Sequence, residues 1–266
     1  MRTIYGNWYE YPRYYDIAFG WDPDVEVGFV EDAFHKFGVG PIKRVYEPFC
    51  GTGRIAIALA ERGYDLIGAD IVPAALDFAR QRAADHGAAV RWELADASAW
   101  SPNEPVDAVV TLIDSFRHLP PEAAKAAVAN FAKSLRANGL LIVGVDVGDR
   151  PIEVTPEEHW TMERDGVVVQ TAVFDLRKPG ITPGTTVTRA RMAIRERDGS
   201  ELEIICDDEM ARYTLDEFLR LTRGAGFEPL TICDRRYDLR RPIPLSGYAG
   251  DIVAVMRLGR AATFVA

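Results

Sequence analysis

The groups able to do chemistry concentrate in one short run, Val45-Tyr-Glu-Pro-Phe-Cys-Gly-Thr-Gly-Arg54. Gly51-Thr52-Gly53-Arg54-Ile55-Ala56 has the G-x-G-x-x-G/A spacing, in which glycines let a strand turn sharply into a helix and let a ligand approach the backbone. Asp70 follows Gly51 by 70 − 51 = 19 residues, at the end of the next apolar run. A carboxylate there accepts hydrogen bonds from both hydroxyls of a ribose. The combination points to a ribose-bearing ligand rather than to a bare turn. Its charge is the next question. Glu47 stands just before the glycines, a poor neighbour for a pyrophosphate. S-adenosylmethionine, which carries a sulfonium and an α-ammonium, suits that carboxylate, held directly or through water. A nicotinamide dinucleotide stays open as the alternative, because the same glycines and Asp70 also serve NAD(P)-dependent oxidoreductases.

A second set lies further on. Asp114 and His118 follow an apolar run, 106–113, on the side where open α/β sheets bind ligands. Imidazole titrates near neutrality, so His118 suits general-base work on an acceptor hydroxyl; an amine acceptor needs only to be neutral. The first 21 residues hold eight aromatics (Tyr5, Trp8, Tyr9, Tyr11, Tyr14, Tyr15, Phe19, Trp21), where the chain average of 10% gives about two. They read either as an arm packed on the domain or as a lid whose ring faces attract a sulfonium and exclude water. Asp207-Asp208-Glu209 resembles a hard-metal cluster in composition only. Consecutive strand residues point to opposite faces, so no metal site is expected. Arg235-Arg236 and Arg240-Arg241 make a local basic patch, either solvated or holding an anionic substrate group.

These residues need a scaffold, and the pattern around them supplies one. Apolar strands are expected at 42–49, 65–70, 89–94, 106–113 and 140–146, with helices at 54–62, 73–86 and 122–137 between them, the last ended by Asn138-Gly139. Strands apolar on both faces and alternating with helices form a parallel sheet covered on both sides. Right-handed crossovers make it doubly wound and Rossmann-like. From about 150 to 212 helix signals vanish. β-rich runs with Asp165-Gly166 and Asp198-Gly199 turns predict a small antiparallel sheet inserted into the α/β domain. A helix at 214–225 and strands at 228–233 and 251–258 then complete a mostly parallel, seven-stranded sheet. The chain therefore divides into an aromatic arm with a helix (1–40), a ligand-binding core (41–148), a β insert (149–212) and a closing segment (213–266). The insert is either a substrate cover or a dimer surface.

Composition bounds the rest. With 266 residues and 48% hydrophobic content, the chain can build a large core without disulfides or metal. Its net charge of −9 argues against nucleic acid or an anionic membrane as the main partner. No apolar run reaches the length of a membrane span, and the first residues lack a signal-peptide core. Cys50, Cys206 and Cys233 are dispersed and odd in number, which suits a reducing cytoplasm. Cys50 reads as a small residue fitting the glycine loop.

Glu47-Pro-Phe-Cys50-Gly51-Thr52-Gly53-Arg54 resembles the first signature of class I S-adenosylmethionine-dependent methyltransferases, with Phe49-Cys50 in place of the commoner glycine. Asp70-Ile71 resembles the family's ribose-binding acid and its neighbour. Leu94-Ala-Asp96-Ala97 resembles the segment whose acid contacts the adenine amine. Leu112-Ile113-Asp114-Ser115-Phe116-Arg117-His118 resembles the segment bordering cofactor and acceptor. Tyr14-Tyr15-Asp16 is similar to an element preceding the core of many small-molecule methyltransferases, and it would place Tyr15 near the methionine end. The similarity spans roughly 40–147 and 212–258. It implies methyl transfer from S-adenosylmethionine to N, O or C of a small acceptor by in-line displacement, with S-adenosylhomocysteine as product. Asp96 adds to Glu47 as an argument against NAD. A cofactor-binding regulatory module without turnover is the other alternative, and a homodimer is open.

Overall fold

The computed structural model describes residues 2–148 and 157–259. The glycine loop sits at the centre of a seven-stranded sheet. Its strands are β2 (Arg44–Pro48), β3 (Asp65–Asp70), β4 (Val90–Leu94), β5 (Val106–Thr111), β6 (Leu135–Val147), β11 (Phe227–Asp234) and β12 (Gly250–Leu258). Their spatial order is β11-β12-β6-β5-β2-β3-β4, and β12 alone runs antiparallel to its neighbours. The sheet is doubly wound. One face packs on α5 (Pro121–Ser134) and α6 (Leu215–Gly224), with Val128, Phe131 and Phe218 in its core. The other face packs on α2 (Asp24–Phe37) and α3 (Arg54–Glu61), through Val30, Phe34, Ile55 and Leu59. α4 (Pro73–His86) joins β3 to β4. Order reverses between β2 and β5, so ligand space opens beyond the carboxyl ends of these strands.

The insert is the expected antiparallel sheet: β7 (Glu158–Arg164), β8 (Val167–Pro179), β9 (Thr185–Arg195) and β10 (Glu201–Ala211). Asp165-Gly166 closes β7 onto β8, both residues at positive φ (53° and 75°), as a tight hairpin requires. The expected start of the insert, 149–156, lies outside the described residues, as do the last residues of the closing segment.

Two elements depart from the sequence reading. The helix expected at 122–137 ends at Ser134, and the strand expected at 140–146 begins at Leu135. Leu135 is buried and pairs with Val106, so sheet pairing overrides the local helix preference. Asn138, at φ 64°, then lies in a bulge before Leu140 meets Ala108. The second departure is β1 (Arg2–Tyr5), for which the sequence carries no local signal. It pairs parallel with β10, Arg2 against Leu202 through Tyr5 against Ile205, and forms the outer strand of a sheet ordered β1-β10-β9-β8-β7.

The aromatic arm continues through a 3₁₀ turn (Trp8–Glu10) and α1 (Pro12–Ala18). Its rings interlock: Tyr15 stacks on Phe19 at 4.5 Å, and Trp8 meets both edge-on at 5.4 and 5.6 Å. Together with Val169, Met192 and Ile204 of the insert they form one core, so arm and insert are a single roof. Asp16, buried on α1, accepts hydrogen bonds from Arg82 of α4 and Arg164 of β7 and so fastens the roof to the main domain. Arg82 there loses some affinity for its proton through burial.

The return to the main sheet is set by a capping box. Thr214 Oγ1 accepts from Glu217 N, and Glu217 Oε2 accepts from Thr214 N at 2.8 Å. Thr214→Ala is expected to lower thermal or urea stability by about 1 kcal/mol, measured as a shift in the unfolding midpoint. A shift indistinguishable from zero would show that the cap adds nothing.

Candidate functional site

The glycine loop is built as its spacing implies. Gly51 and Gly53 adopt φ of 52° and 77°, and Phe49 between strand and loop also takes a positive φ of 59°. A Cβ on Gly53 would lie 2.7 Å from the Trp92 ring, so only glycine fits there. Asp70 closes the loop. Its Oδ2 accepts from Gly51 N at 2.8 Å and its Oδ1 from Val72 N at 2.9 Å. A carboxylate has about four lone-pair positions, so Asp70 keeps capacity to accept from a ligand. Burial raises its proton affinity and these backbone donors oppose the shift. Ile71 and Leu94, the latter paired with Asp70 in the sheet, are large apolar residues left exposed at 64% and 60%. They leave an apolar surface beside Asp70. Asp96 is exposed, and its Oδ1 accepts from both Ser98 N and Ser98 Oγ; Ala97 is buried behind it.

Glu47 and Arg54 flank the loop on the inside. Glu47 is buried, its Oε2 has no hydrogen-bond partner, and burial pushes its carboxyl up to about 8. Arg54 opens α3 directly after Gly53. Its Nη2 donates to Glu26 at 2.8 Å, its guanidinium lies 5.2 Å from the Trp21 ring, and its Nη1 is buried without a partner. Trp21 Nε1 donates to the same Glu26 oxygen at 2.9 Å. An unpaired buried acceptor and an unpaired buried donor thus stand on either side of one loop. Each such group costs free energy until something meets it. Cys50 is buried and its thiol is pushed well up by burial, with Glu47 and Asp70 adding to it, so it is not a nucleophile. Thr52 is buried too.

Beside the loop lies a cavity of about 540 Å³. Its walls come from the arm (Trp8, Tyr9, Tyr15, Phe19, Trp21), the segment after β5 (Ile113, Asp114, Ser115, His118), the insert (Trp160, Ala190, Asp208, Met210) and the start of β12. A second space of about 600 Å³ shares Asp114, Glu158, Thr188 and Asp251 with it and extends toward Arg117 and Arg236. Tyr15 lines the first of these spaces, and burial raises its hydroxyl, with the Asp70 charge adding to this and Arg54 opposing it.

The segment after β5 carries strain at this site. Ile113 and Asp114 are consecutive non-glycine residues at φ 54° and 59°. Asp114 Oδ1 accepts from Asp146 N at 2.8 Å and Oδ2 from Arg117 Nη1 at 2.9 Å, while Arg117 Nε donates to Ala211 O at 2.6 Å. Burial raises the Asp114 carboxyl to about 7 and Arg117 opposes this. Asp114 therefore lines the cavity yet ties β5, β6 and β10 together. His118 is half-buried, and its Nε2 lies 2.8 Å from the Tyr9 hydroxyl.

Tyr9, Asp208, Trp160 and Glu26 are the site residues that sequence reading did not single out for chemistry. Tyr9 was visible only as one of eight aromatics, and Asp208 only as the middle of an acidic triplet. Strand alternation does separate that triplet: Asp207 pairs with Arg189 and Glu209 with Thr185, while Asp208 faces the cavity. The basic patch is neutralised locally, Arg236 by Asp234 and Arg240 by Asp238. No helix among the described residues is long and apolar enough to cross a membrane.

Residues 45–139 match a family described as a methyltransferase domain. A ubiquinone biosynthesis O-methyltransferase from Idiomarina loihiensis is 30% identical over 131 residues, 45% of this chain and 52% of that enzyme. A second such enzyme, from Azoarcus sp., is 33% identical over 34% of this chain and 40% of its own length, so the chain spans about half or less of these relatives. Among solved structures, an S-adenosylmethionine-dependent methyltransferase from Clostridium acetobutylicum superposes with a TM-score of 0.75 at 15% identity, covering 94% of this chain and 98% of that one. An amino pentose methyltransferase from Micromonospora echinaspora, solved with S-adenosylmethionine bound, gives 0.70 at 20% identity, covering 97% and 99%. The fold is that of the class I methyltransferases, with its Rossmann-like sheet and β insert.

Proposed function

We infer that this chain, a methyltransferase domain on the class I fold, is an enzyme that moves a methyl group from S-adenosylmethionine to a small-molecule acceptor. The observation that carries the reading is the pair of unsatisfied buried groups beside the glycine loop, Glu47 Oε2 and Arg54 Nη1. They match the α-ammonium and α-carboxylate of a methionine moiety, each supplying the charge that the other end of a zwitterion needs. A pyrophosphate would satisfy Arg54 but find no counter-charge at Glu47, whereas an ammonium gains one as the carboxyl ionises, which favours the methionine moiety over a dinucleotide. Gly51, Thr52 and Gly53 bring backbone against the ligand, Cys50 packs behind them, Asp70 holds the ribose, and Ile71 with Ala97 borders the adenine, whose amine Asp96 meets. Ile113 and Tyr15 close the sulfonium end.

When bound, the cofactor supplies an electrophilic methyl on a sulfonium. The chain's part is positioning and exclusion of water, which drive such a displacement. The aromatic arm forms a dry wall whose ring faces favour positive charge. Asp114 fixes the strained turn at the cavity, and His118 holds a ring nitrogen for proton transfer. The open cavity of about 540 Å³ has room for an acceptor, which favours turnover over a non-catalytic cofactor-binding module. Its wall carries Asp22, Glu26, Asp114, Glu158, Asp208 and Asp251 against Arg235 alone. This selects an amine-bearing or hydroxyl-rich acceptor over an anionic one. An amino sugar fits that description, and solved structures sharing the fold include an amino pentose methyltransferase and a sugar N-methyltransferase.

Glu47 makes the reading testable. Its carboxyl is raised from 4.5 to about 8, so it is protonated in the ligand-free protein at pH 7. The stability that goes with the neutral form is full below the unfolded value and is lost as pH rises through about 8. An ammonium favours the carboxylate, so binding at pH 7 is expected to release close to one proton, and affinity is expected to rise with pH up to about 8. Titration calorimetry with S-adenosylhomocysteine, repeated in buffers of different ionisation enthalpy, measures this. Glu47→Gln should abolish the release and weaken binding. Equal affinity and no proton release in the wild type would exclude Glu47 from the site.

A further inference from the structure

Taking the methyltransferase reading as given, we propose that the Tyr9 hydroxyl is the group that meets the acceptor's attacking atom and passes the proton released there to Nε2 of His118. The two atoms are 2.8 Å apart and both residues line the cavity, Tyr9 from the arm and His118 from the turn after β5. The rings meet edge-on at 5.6 Å, and the Tyr15 ring lies 4.9 Å from that of Tyr9. The pair therefore joins the arm to the turn after β5 at the wall of the cavity.

Other candidates are committed elsewhere. Both oxygens of Asp114 already accept hydrogen bonds, from Asp146 N and from Arg117. The Cys206 thiol is pushed up to about 12 by burial, with Asp208 adding to it. The charged and titratable groups facing the pair are Tyr15 from α1, Asp208 and Cys206 from β10, and Arg117 from the turn itself. Burial and Arg117 keep the His118 ring neutral, while Asp208 opposes them. Burial, with Tyr15 and Asp208 adding, holds the proton on Tyr9. In the proposed resting pair, with the ring proton on Nδ1, the phenol O–H donates to the neutral Nε2 and can move one proton inward.

The step balances. The acceptor's attacking atom, N or O, bonds to the transferred methyl carbon as the carbon–sulfur bond breaks and its electron pair leaves with sulfur. The proton on the attacking atom moves to the Tyr9 oxygen as the Tyr9 proton moves to Nε2. His118 ends as an imidazolium beside the Asp208 carboxylate, and Tyr9 is restored. Tyr9 is on this view a catalytic residue, and Asp208 a positioning residue acting through His118.

The direct test is nitrogen NMR on protein labelled at its four histidines, with His118 assigned by its loss in His118→Asn. A neutral ring with its proton on Nδ1 is expected at pH 7 to 8, above the ordinary imidazole range, and Tyr9→Phe should shift the Nε2 signal alone. A proton on Nε2 would make His118 the donor and would overturn the relay. Kinetics with radiolabelled S-adenosylmethionine and an amino pentose as probe supply the second arm. Tyr9→Phe and His118→Asn should each lower kcat by roughly 10²-fold or more with an unchanged KM for the cofactor. The double variant should be no slower than either single one, and the acid limb of the kcat–pH profile should vanish in His118→Asn. Wild-type kcat and profile in Tyr9→Phe, or losses that multiply in the double variant, would overturn the proposal. A wild type that does not bind S-adenosylhomocysteine would sink the methyltransferase reading instead, and the tautomer would still decide the relay.

Discussion

Arg54→Ala is expected to lower the stability of the ligand-free protein by about 3–5 kcal/mol, because it strands the buried Glu26 carboxylate. The two side chains are 8% and 6% exposed, and their hydrogen bond is 2.8 Å long. Breaking one side of such a pair removes the compensation for a charge already taken out of water. Trp21 donates to the same Glu26 oxygen and loses the cation above its ring, so the arm loosens with the loop. Urea unfolding with an unchanged m-value measures the loss, and Arg54→Ala combined with Glu26→Gln should recover part of it. A loss below about 1 kcal/mol would mean that water reaches the pair. Arg54→Lys keeps the charge but not the fork, so it should retain more stability than cofactor affinity.

Asp70→Ala is expected to weaken S-adenosylhomocysteine binding by roughly 10- to 100-fold, from hydrogen bonds worth about 1–3 kcal/mol. Two effects combine. The ribose hydroxyls lose their acceptor, and Gly51 N loses the carboxylate that holds the loop in its turn. Calorimetry on a variant shown to be folded separates this from collapse. Unchanged affinity would remove Asp70 from the ribose position. The stability cost should be smaller than for Arg54→Ala, since Asp70 is only partly buried and water replaces one of its partners.

Legibility in the sequence followed the range of the interactions. Gly51, Gly53 and Asp70 were readable because the turn, the spacing and the strand ends are local. The alternation of apolar strands with helices likewise carried the sheet, and Asp165-Gly166 carried a hairpin. What escaped is non-local. Leu135 extends β6 backward because Val106 waits across the sheet, not because of its neighbours. Tyr9 and His118 meet across 109 positions, and no periodicity in either segment announces it. Glu26 looked like one of many helix-surface acids until Arg54 and Trp21 were placed against it.

The outer strand β1 has a consequence for how the molecule is made. Its partners begin at Leu202, and Thr3 donates to Glu203 across 200 positions. Such distant pairings close large loops and form late. A ribosome that has released β1 must therefore deliver the residues of β10, 200 positions later, before β1 finds its place. The glycine loop and the strands around it can assemble while the aromatic arm still hangs unpaired, and the cavity under that arm is enclosed only once β10 is in place.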